Sequence, residues 1–379
     1  MEEEGLQFLY LSEPDMLEAG VLDMKQCVKT IEDMFRLAGK GDYIMGGPKR
    51  DSHGIMLWYP DEPEFEGMPK AGPDRRYMVM PAYLGGRFHV TGQKWYGSNV
   101  ENIKKGLPRS ILMFSLNDAD TGAPMAIMSA NLLSAARTGA VPGVAAKYLK
   151  SATAENIAVI GCGVINHACI MAIAEGMGRV SKVYLYDINR DRALSFQQDM
   201  EKELNAEYVV CDTLEDVLKN ADVISVATAG KVKVHITPEM LKPGALLTIT
   251  GTADLPKEMY LKNRVAVDNW QMHLDYLEEG KMCDQGIEGI RDWASSYDML
   301  MLYEQGLLKE DNIVSLGEVV AGTALPRKNE EDKLLLVVGG LPIEDVAWGH
   351  DLYNNALEKG LGQNLKDFPL RKPHFHCNI

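Results

Sequence analysis

The sequence predicts an α/β protein with two parts: a doubly wound parallel-sheet domain, and an α+β domain built from both ends of the chain. Three observations carry this expectation. Residues 156–187 run as strand, glycine turn, helix, second strand and acid. The alternation of strand and helix then continues to about residue 268. Outside this block the pattern changes, to strand runs without intervening helices before it and to broken order over 320–379.

Taken in order, residues 7–11 have the apolar content of a strand. Ser12, with Pro14 and Asp15 behind it, supplies a cap and an early proline that open a helix. Cys27, Ile31, Met34, Phe35 and Leu37 recur at helical spacing across 24–38. Residues 53–59, 77–83 and 88–96 read as strands, and 60–73 is a loop rich in proline and charge, long enough for a lid or a partner contact. Further strands are expected at 111–116 and 125–128, joined by a turn at 117–122. An alanine-rich helix over 129–149 leads into the strand at 157. Later strands fall at 208–210, 223–228, 246–250 and 264–268, with a helix from about Leu214. Helices are expected to start near 314 and 341, with a strand at 334–338. The domains are therefore expected at 1–145, 146–319 and 320–379, the last segment returning to the first domain.

The central unit has the form of a dinucleotide-binding βαβ motif. Ile157 to Ile160 is an apolar run, and Gly161 and Gly163 free the backbone to turn and to approach a pyrophosphate at the N-terminus of the next helix. Val164, Ile165 and Asn166 continue that cofactor-facing stretch. The third small position of G-x-G-x-x-G is Asn166 instead of Gly or Ala. Asp187 lies 26 residues after Gly161, within reach of a ribose diol. An acid there accepts hydrogen bonds from both hydroxyls and repels a 2′-phosphate, which favours NAD, whereas Arg190 and Arg192 close behind could accommodate NADP.

Charge and composition narrow the partners. A net charge of −15 disfavours nucleic acid and anionic membranes, so an anionic substrate must find a local basic pocket. No apolar stretch approaches the ~18 residues of a membrane span, and the acidic start Met1-Glu-Glu-Glu is unlike a secretory signal, so a cytoplasmic protein is expected. The six cysteines lack paired spacing and read as reduced packing residues. His374, His376 and Cys377 have ligand-like spacing without a framework to complete a site. That tail reads as a frayed terminus, and no metal is expected.

Four motifs, in order, resemble the ornithine cyclodeaminase and mu-crystallin family. Gln93-Lys94-Trp95, with Asn99 and Gly106-Leu-Pro108, is similar to the family's lysine strand. Residues 136–140 (Ala-Arg-Thr-Gly-Ala) and 145–149 resemble its Arg-Thr helix, and 159–163 its glycine turn. Leu316-Gly-Glu-Val-Val-Ala-Gly322 and 339–347 are similar to its C-terminal signature.

The resemblance implies NAD(P)-linked chemistry at the Cα of an amino acid or its imine, and a homodimer formed through the substrate domain. It also implies roles. Arg137 and Lys94 match the family's substrate-carboxylate cations, and Lys94 is a candidate to exchange a proton with the substrate nitrogen. Arg50 best resembles a third cation, with Lys49 the alternative if the register slips by one. Thr138 falls near the cofactor's phosphates or nicotinamide, and Ala227 and Thr228 near its ribose. Asp254 keeps the Asp-x-Pro setting of the cyclodeaminase catalytic acid but stands one residue farther from the glycine, where an ungapped match would put Ala253. The expected function is therefore an amino-acid dehydrogenase or imine reductase, opine-type synthesis included. The alternatives are ornithine or lysine cyclodeamination, which needs an acid for the distal amine, and a nucleotide-dependent binding protein of the mu-crystallin kind.

Overall fold

The computed structural model describes residues 5–228, 233–283 and 285–369. The chain begins with β1 (Gly5–Leu11), α1 (Glu13–Ala19) and α2 (Met24–Ala38). Ser12 and Asp15 cap α1 reciprocally, and Asp23 caps α2 by accepting from Gln26 N at 3.0 Å. Strands β2 (Tyr43–Met45), β3 (Ile55–Trp58), β4 (Arg76–Leu84), β5 (Val90–Ser98), β6 (Ser110–Asp118) and β7 (Pro124–Ser129) follow, and then α3 (Asn131–Leu149). The loop expected at 60–73 separates β3 from β4.

The second part runs β8 (Asn156–Ile160), α4 (Val164–Met177), β9 (Lys182–Tyr186), α5 (Arg190–Met200), β10 (Glu207–Val210), α6 (Leu214–Leu218) and β11 (Val223–Val226). It continues through β12 (Val234–His235), β13 (Leu246–Ile249), β14 (Ala253–Asp254), α7 (Lys257–Leu261), β15 (Arg264–Val267), α8 (Trp270–Met282), α9 (Tyr297–Glu304) and β16 (Ile313–Ser315). The chain closes with α10 (Leu316–Ala321), β17 (Leu334–Val337), α11 (Pro342–Lys359) and β18 (Gln363–Pro369).

Two large sheets result. The first has the order β18-β1-β7-β6-β5-β4-β2, with β3 also pairing β4. The second, order β10-β9-β8-β11-β13-β17-β15-β16, is parallel throughout and doubly wound from β8. Its central strands are buried on both faces, which is why they read as unbroken apolar runs.

The expected return of the chain at residue 320 needs correction. β17 lies in the middle of the parallel sheet, between β13 and β15, so the chain leaves that sheet only after Val337. Leu334 to Val337 are all buried, and such a run is stable only in the centre of a covered sheet. After it, α11 packs against α2, β4 and β5, and β18 pairs antiparallel with β1.

α3 joins the two halves and is buried nearly all round, from Leu133 to Leu149. It packs on α4 with almost no side-chain spacer. A Cβ on Gly139 would stand 2.6 Å from Ala168 Cβ, and one on Gly143 would stand 2.5 Å from the Ala172 carbonyl. This close approach fixes α3, which carries Arg137, against α4, the helix that follows the glycine turn. Among the described residues no helix is long and apolar enough to cross a membrane. The 374–377 tail lies outside the described residues.

Candidate functional site

A cavity of about 630 Å³ opens between the two sheets. One wall comes from β4, β5 and α3, with Arg76, Lys94, Tyr96 and Arg137. The other comes from the C-terminal ends of the parallel strands, where Ala227, Thr228, Thr250 and Val338 lie. Ligands of doubly wound sheets bind at these strand ends, and the volume is in the range of small-molecule sites. Residues 291–298, including Trp293 and Tyr297, close the cavity from the side.

Lys94 and Arg137 meet in this cavity although they come from different elements. Lys94 points inward because it alternates with the outward Gln93 and Trp95 on β5, and it is 2% exposed. Its Nζ lies 2.8 Å from Asp345 Oδ2 and donates to Ser134 Oγ at 3.2 Å. Arg137 donates from Nε to Asp345 Oδ1 at 3.0 Å and from Nη1 to Glu344 Oε2. Both acids sit in the first turn of α11, where Glu344 also caps the helix by accepting from Leu341 N at 3.1 Å.

Burial governs the ionisation of this cluster. It drives the Lys94 pKa down to about 8, with the Arg137 charge adding to the shift and Asp345 opposing it. Burial also raises the Glu344 carboxyl to about 7, against the attraction of Arg137 and with repulsion from Asp268. For Arg137 burial opposes the charge, but Asp345 and Glu344 overcome it, so the guanidinium stays protonated. His53 lines the same cavity, packed edge-on against Tyr276 at 5.4 Å. Burial, with Lys94 and Arg137 nearby, lowers its pKa to about 3 and keeps it neutral.

The glycine turn fits a dinucleotide. Gly161 has φ +89°, and a Cβ there would press on Thr228 Cγ2 at 3.0 Å. Among the described residues a Cβ on Gly163 would meet nothing within 4 Å, so these residues leave the cradle at the N-terminus of α4 open, with Val164 exposed beside it. Asp187 immediately follows β9, its carboxylate fixed by Cys162 N at 2.8 Å and Asn189 N at 2.9 Å. Arg190 is drawn aside to Asp212. Ile165, Ala227 and Thr228 line the cavity; Thr138 is half-buried on α3 beside Arg137.

Three expected site residues are placed elsewhere. Asn166 is fully buried beneath the turn instead of facing a cofactor. Its amide donates to the carbonyls of Ile160 at 3.0 Å and Gly161 at 2.7 Å, and its Oδ1 accepts from Ser225 Oγ at 2.6 Å. The amide thus ties the turn to β11, an internal use for the position at which the sequence leaves the glycine pattern. Arg50, like Lys49, is exposed at the tip of a tight turn closed by a Gly46–Ser52 bridge, with φ +66°, and neither lines the cavity. Asp254 points outward, 60% exposed, and pairs with His235 Nδ1 at 2.8 Å. Ala253 lines the cavity instead, because neighbouring strand residues face opposite sides.

Four further residues belong to the site without a local mark in its motifs. Arg76 and Arg109 stand in the cavity wall, and Glu344 and Asp345 hold the two inner cations from behind. Arg76 shares the inward face of β4 with Met78 and Met80, a period-two signal visible in the sequence. The two acids lie within the quoted 339–347 motif, but nothing local relates them to Lys94 or Arg137.

Residues 21–360 match the pattern of the ornithine cyclodeaminase/mu-crystallin family. The chain is 25% identical to N-((2S)-2-amino-2-carboxyethyl)-L-glutamate dehydrogenase of Staphylococcus aureus, over 95% of this chain and 98% of that protein. It superimposes on Δ1-pyrroline-2-carboxylate reductase of Thermococcus litoralis, solved with NADH and L-proline, with a TM-score of 0.74. That match has 26% identity and covers 94% of this chain and 100% of the other. An archaeal alanine dehydrogenase dimer with bound NAD matches with a TM-score of 0.75, at 25% identity over 96% of this chain and 100% of that one.

Proposed function

Because this chain belongs to the ornithine cyclodeaminase/mu-crystallin family, we propose that its cavity serves an NAD-dependent oxidoreductase acting at the Cα of an amino acid or its imine. The observation that carries this is the pair Lys94 and Arg137, buried on one wall of a cavity whose other wall is the ends of a nucleotide-type sheet. Relatives that share the fold include reductases and dehydrogenases of such substrates.

NAD would be held by the open turn at Gly161 and Gly163, by Val164 and Ile165 and by the Asp187 carboxylate, with Thr138, Ala227 and Thr228 beside it. When bound it supplies or accepts a hydride at the substrate Cα. Arg137 offers a fixed guanidinium to the substrate carboxylate, and Lys94 a second cation. Lys94, with its pKa near neutrality, holds the proton exchanged with the substrate nitrogen. Asp345 orients both cations. Tyr276 and Trp293, edge-on at 5.1 Å, shield the reacting carbon from water.

The protein is proposed to act as a homodimer through the outer face of the first sheet. There Leu57, Tyr77, Gly97 and Ile111 pair directly across four strands, and Ile55, Val79, Trp95 and Met113 form the next row. Ile55, Leu57, Tyr77 and Ile111 are exposed, an apolar patch of the kind that marks an interface. A reducing cytoplasm suits the buried free thiols of Cys27, Cys162 and Cys169.

The test is NADH oxidation at 340 nm with a panel of 2-keto acids plus ammonium or amino acids, together with NAD reduction by amino acids. Turnover in either direction is expected. Conversion of ornithine to proline and ammonia with no net NADH would instead establish cyclodeamination, and silence throughout would favour the binding-protein alternative. The outward Asp254 weighs against cyclodeamination.

A further inference from the structure

Arg76 and Arg109 line the same cavity as Lys94 and Arg137 but stand at its other end. In the β4–β5 pairing Met80 opposes Lys94 and Arg76 opposes Ser98. Arg76 therefore lies on the same face as Lys94, with its backbone four residues along the strand, about 14 Å at roughly 3.4 Å per residue, and the long side chains extend from there into the cavity. Arg109 immediately precedes Ser110, which also pairs with Ser98, so it reaches the Arg76 end of the sheet. Tyr96 lies between the two poles, its hydroxyl 3.4 Å from Arg76 Nη2.

At this outer pole two guanidiniums share one carboxylate. Arg76 Nη1 and Arg109 Nε both donate to Asp74, which also accepts from Ser98 Oγ. Within this trio one anion stands against two cations, so it carries a net positive charge. Among the described residues Arg76 Nε is moreover buried with no hydrogen-bond partner, while its Cζ sits 5.4 Å from the Trp58 ring centroid and 5.8 Å from that of Tyr96. The guanidinium is thus held rigidly by two rings and one acid, with a donor left over. A buried N–H without an acceptor is unfavourable unless a ligand supplies one.

We propose that the substrate carries a second carboxylate, remote from the one beside the reacting carbon, and that Arg76 and Arg109 bind it. The substrate class is then a dicarboxylic amino acid or imine, with the distal carboxylate on either the keto-acid part or the amine part. Lys94 and Arg137 hold one end and Arg76 and Arg109 the other, with the reacting carbon next to the inner pair. This rests on the oxidoreductase function proposed above.

Three reactions measured by NADH oxidation separate the sources: pyruvate with ammonium, 2-oxoglutarate with ammonium, and pyruvate with glutamate. At least one dicarboxylic arm is expected to exceed pyruvate with ammonium by tenfold or more in kcat/KM. Arg109→Gln, at a half-exposed position that folding tolerates, and Arg76→Gln are each expected to shrink that ratio by tenfold or more. Equal efficiency across the arms, or variants that depress every arm by the same factor, would overturn the proposal. Binding to the NADH-loaded protein is followed in parallel by thermal shift with glutarate and with butyrate. Preference for glutarate without turnover in any arm would sustain the second-carboxylate site and count against the oxidoreductase function alone. No preference for glutarate would overturn the site itself.

Discussion

Lys94 and Arg137 share a single carboxylate: Asp345 places Oδ2 at 2.8 Å from the lysine and Oδ1 at 3.0 Å from the arginine. Two cations that would otherwise repel each other in a buried site are thereby held side by side, ready for one substrate carboxylate. Removing one member of such a buried set leaves the others without their compensating charge. Arg137→Lys, which keeps the charge but loses the planar fork, is expected to raise KM for the carboxylate substrate by about 10- to 100-fold, consistent with ~1.5–3 kcal/mol for charged hydrogen bonds. Steady-state kinetics on the natural or best panel substrate checks this, and an unchanged KM would remove Arg137 from substrate binding.

The same cluster sets a pH dependence with a definite sign. Lys94, at about 8, loses its charge as pH rises through that value, and Glu344, at about 7, becomes an anion competing for Arg137 above it. Both changes weaken anion binding in the same direction. KM for the carboxylate substrate is therefore expected to be lowest near or below pH 7 and to climb about tenfold per pH unit at most above 8. A KM that falls between pH 7 and 9 would contradict the cluster's role.

Asp254→Asn tests the outward placement of that acid. Its partner is His235 on the exposed face, and Ala253 takes the inward position. Oxidoreductase activity is expected to stay within about twofold of the parent, since surface substitutions of this kind usually act within ~0.5 kcal/mol. A loss of a hundredfold in kcat would restore Asp254 to the chemistry.

Asn166→Ala should act on stability. The buried amide holds the carbonyls of Ile160 and Gly161 and receives the Ser225 hydroxyl. Leaving those groups unpaired is expected to cost about 1–3 kcal/mol. Denaturant unfolding measures the loss directly. Raised KM for NADH with unchanged stability would instead make Asn166 a cofactor contact.

Asp187→Ser tests the choice of nicotinamide cofactor. The carboxylate is fixed by two backbone N–H groups, and Arg190 is engaged with Asp212. The parent should prefer NADH to NADPH, and the variant should lose most of that preference by weakening NADH and tolerating NADPH. Parallel titrations with the two cofactors decide it; a parent that prefers NADPH would overturn the assignment of the acid.

Local pattern alone determined the α/β class, the strand and helix order through most of the chain, and the glycine turn with its acid, whereas Lys94 and Arg137 stood out only through the family resemblance of their motifs. These are properties of single elements: apolar runs and periodicity report which side of a strand or helix is covered, and a short motif carries its own geometry. Tertiary structure decided the rest. Arg50 resembles the family's third cation by its place before the first substrate-domain strand, but a tight turn exposes it, while Arg76 and Arg109 face inward from β4 and the loop before β6. Asp254 and Ala253 exchanged roles on a one-residue alternation. Glu344 and Asp345 reach Arg137 from about 200 residues away in sequence. Leu334–Val337 joined the parallel sheet after the chain was expected to have left it. In each case the outcome depended on which distant elements pack together, and the charge that a buried cation meets there is set by the partner element, not by the residue's own neighbours in sequence.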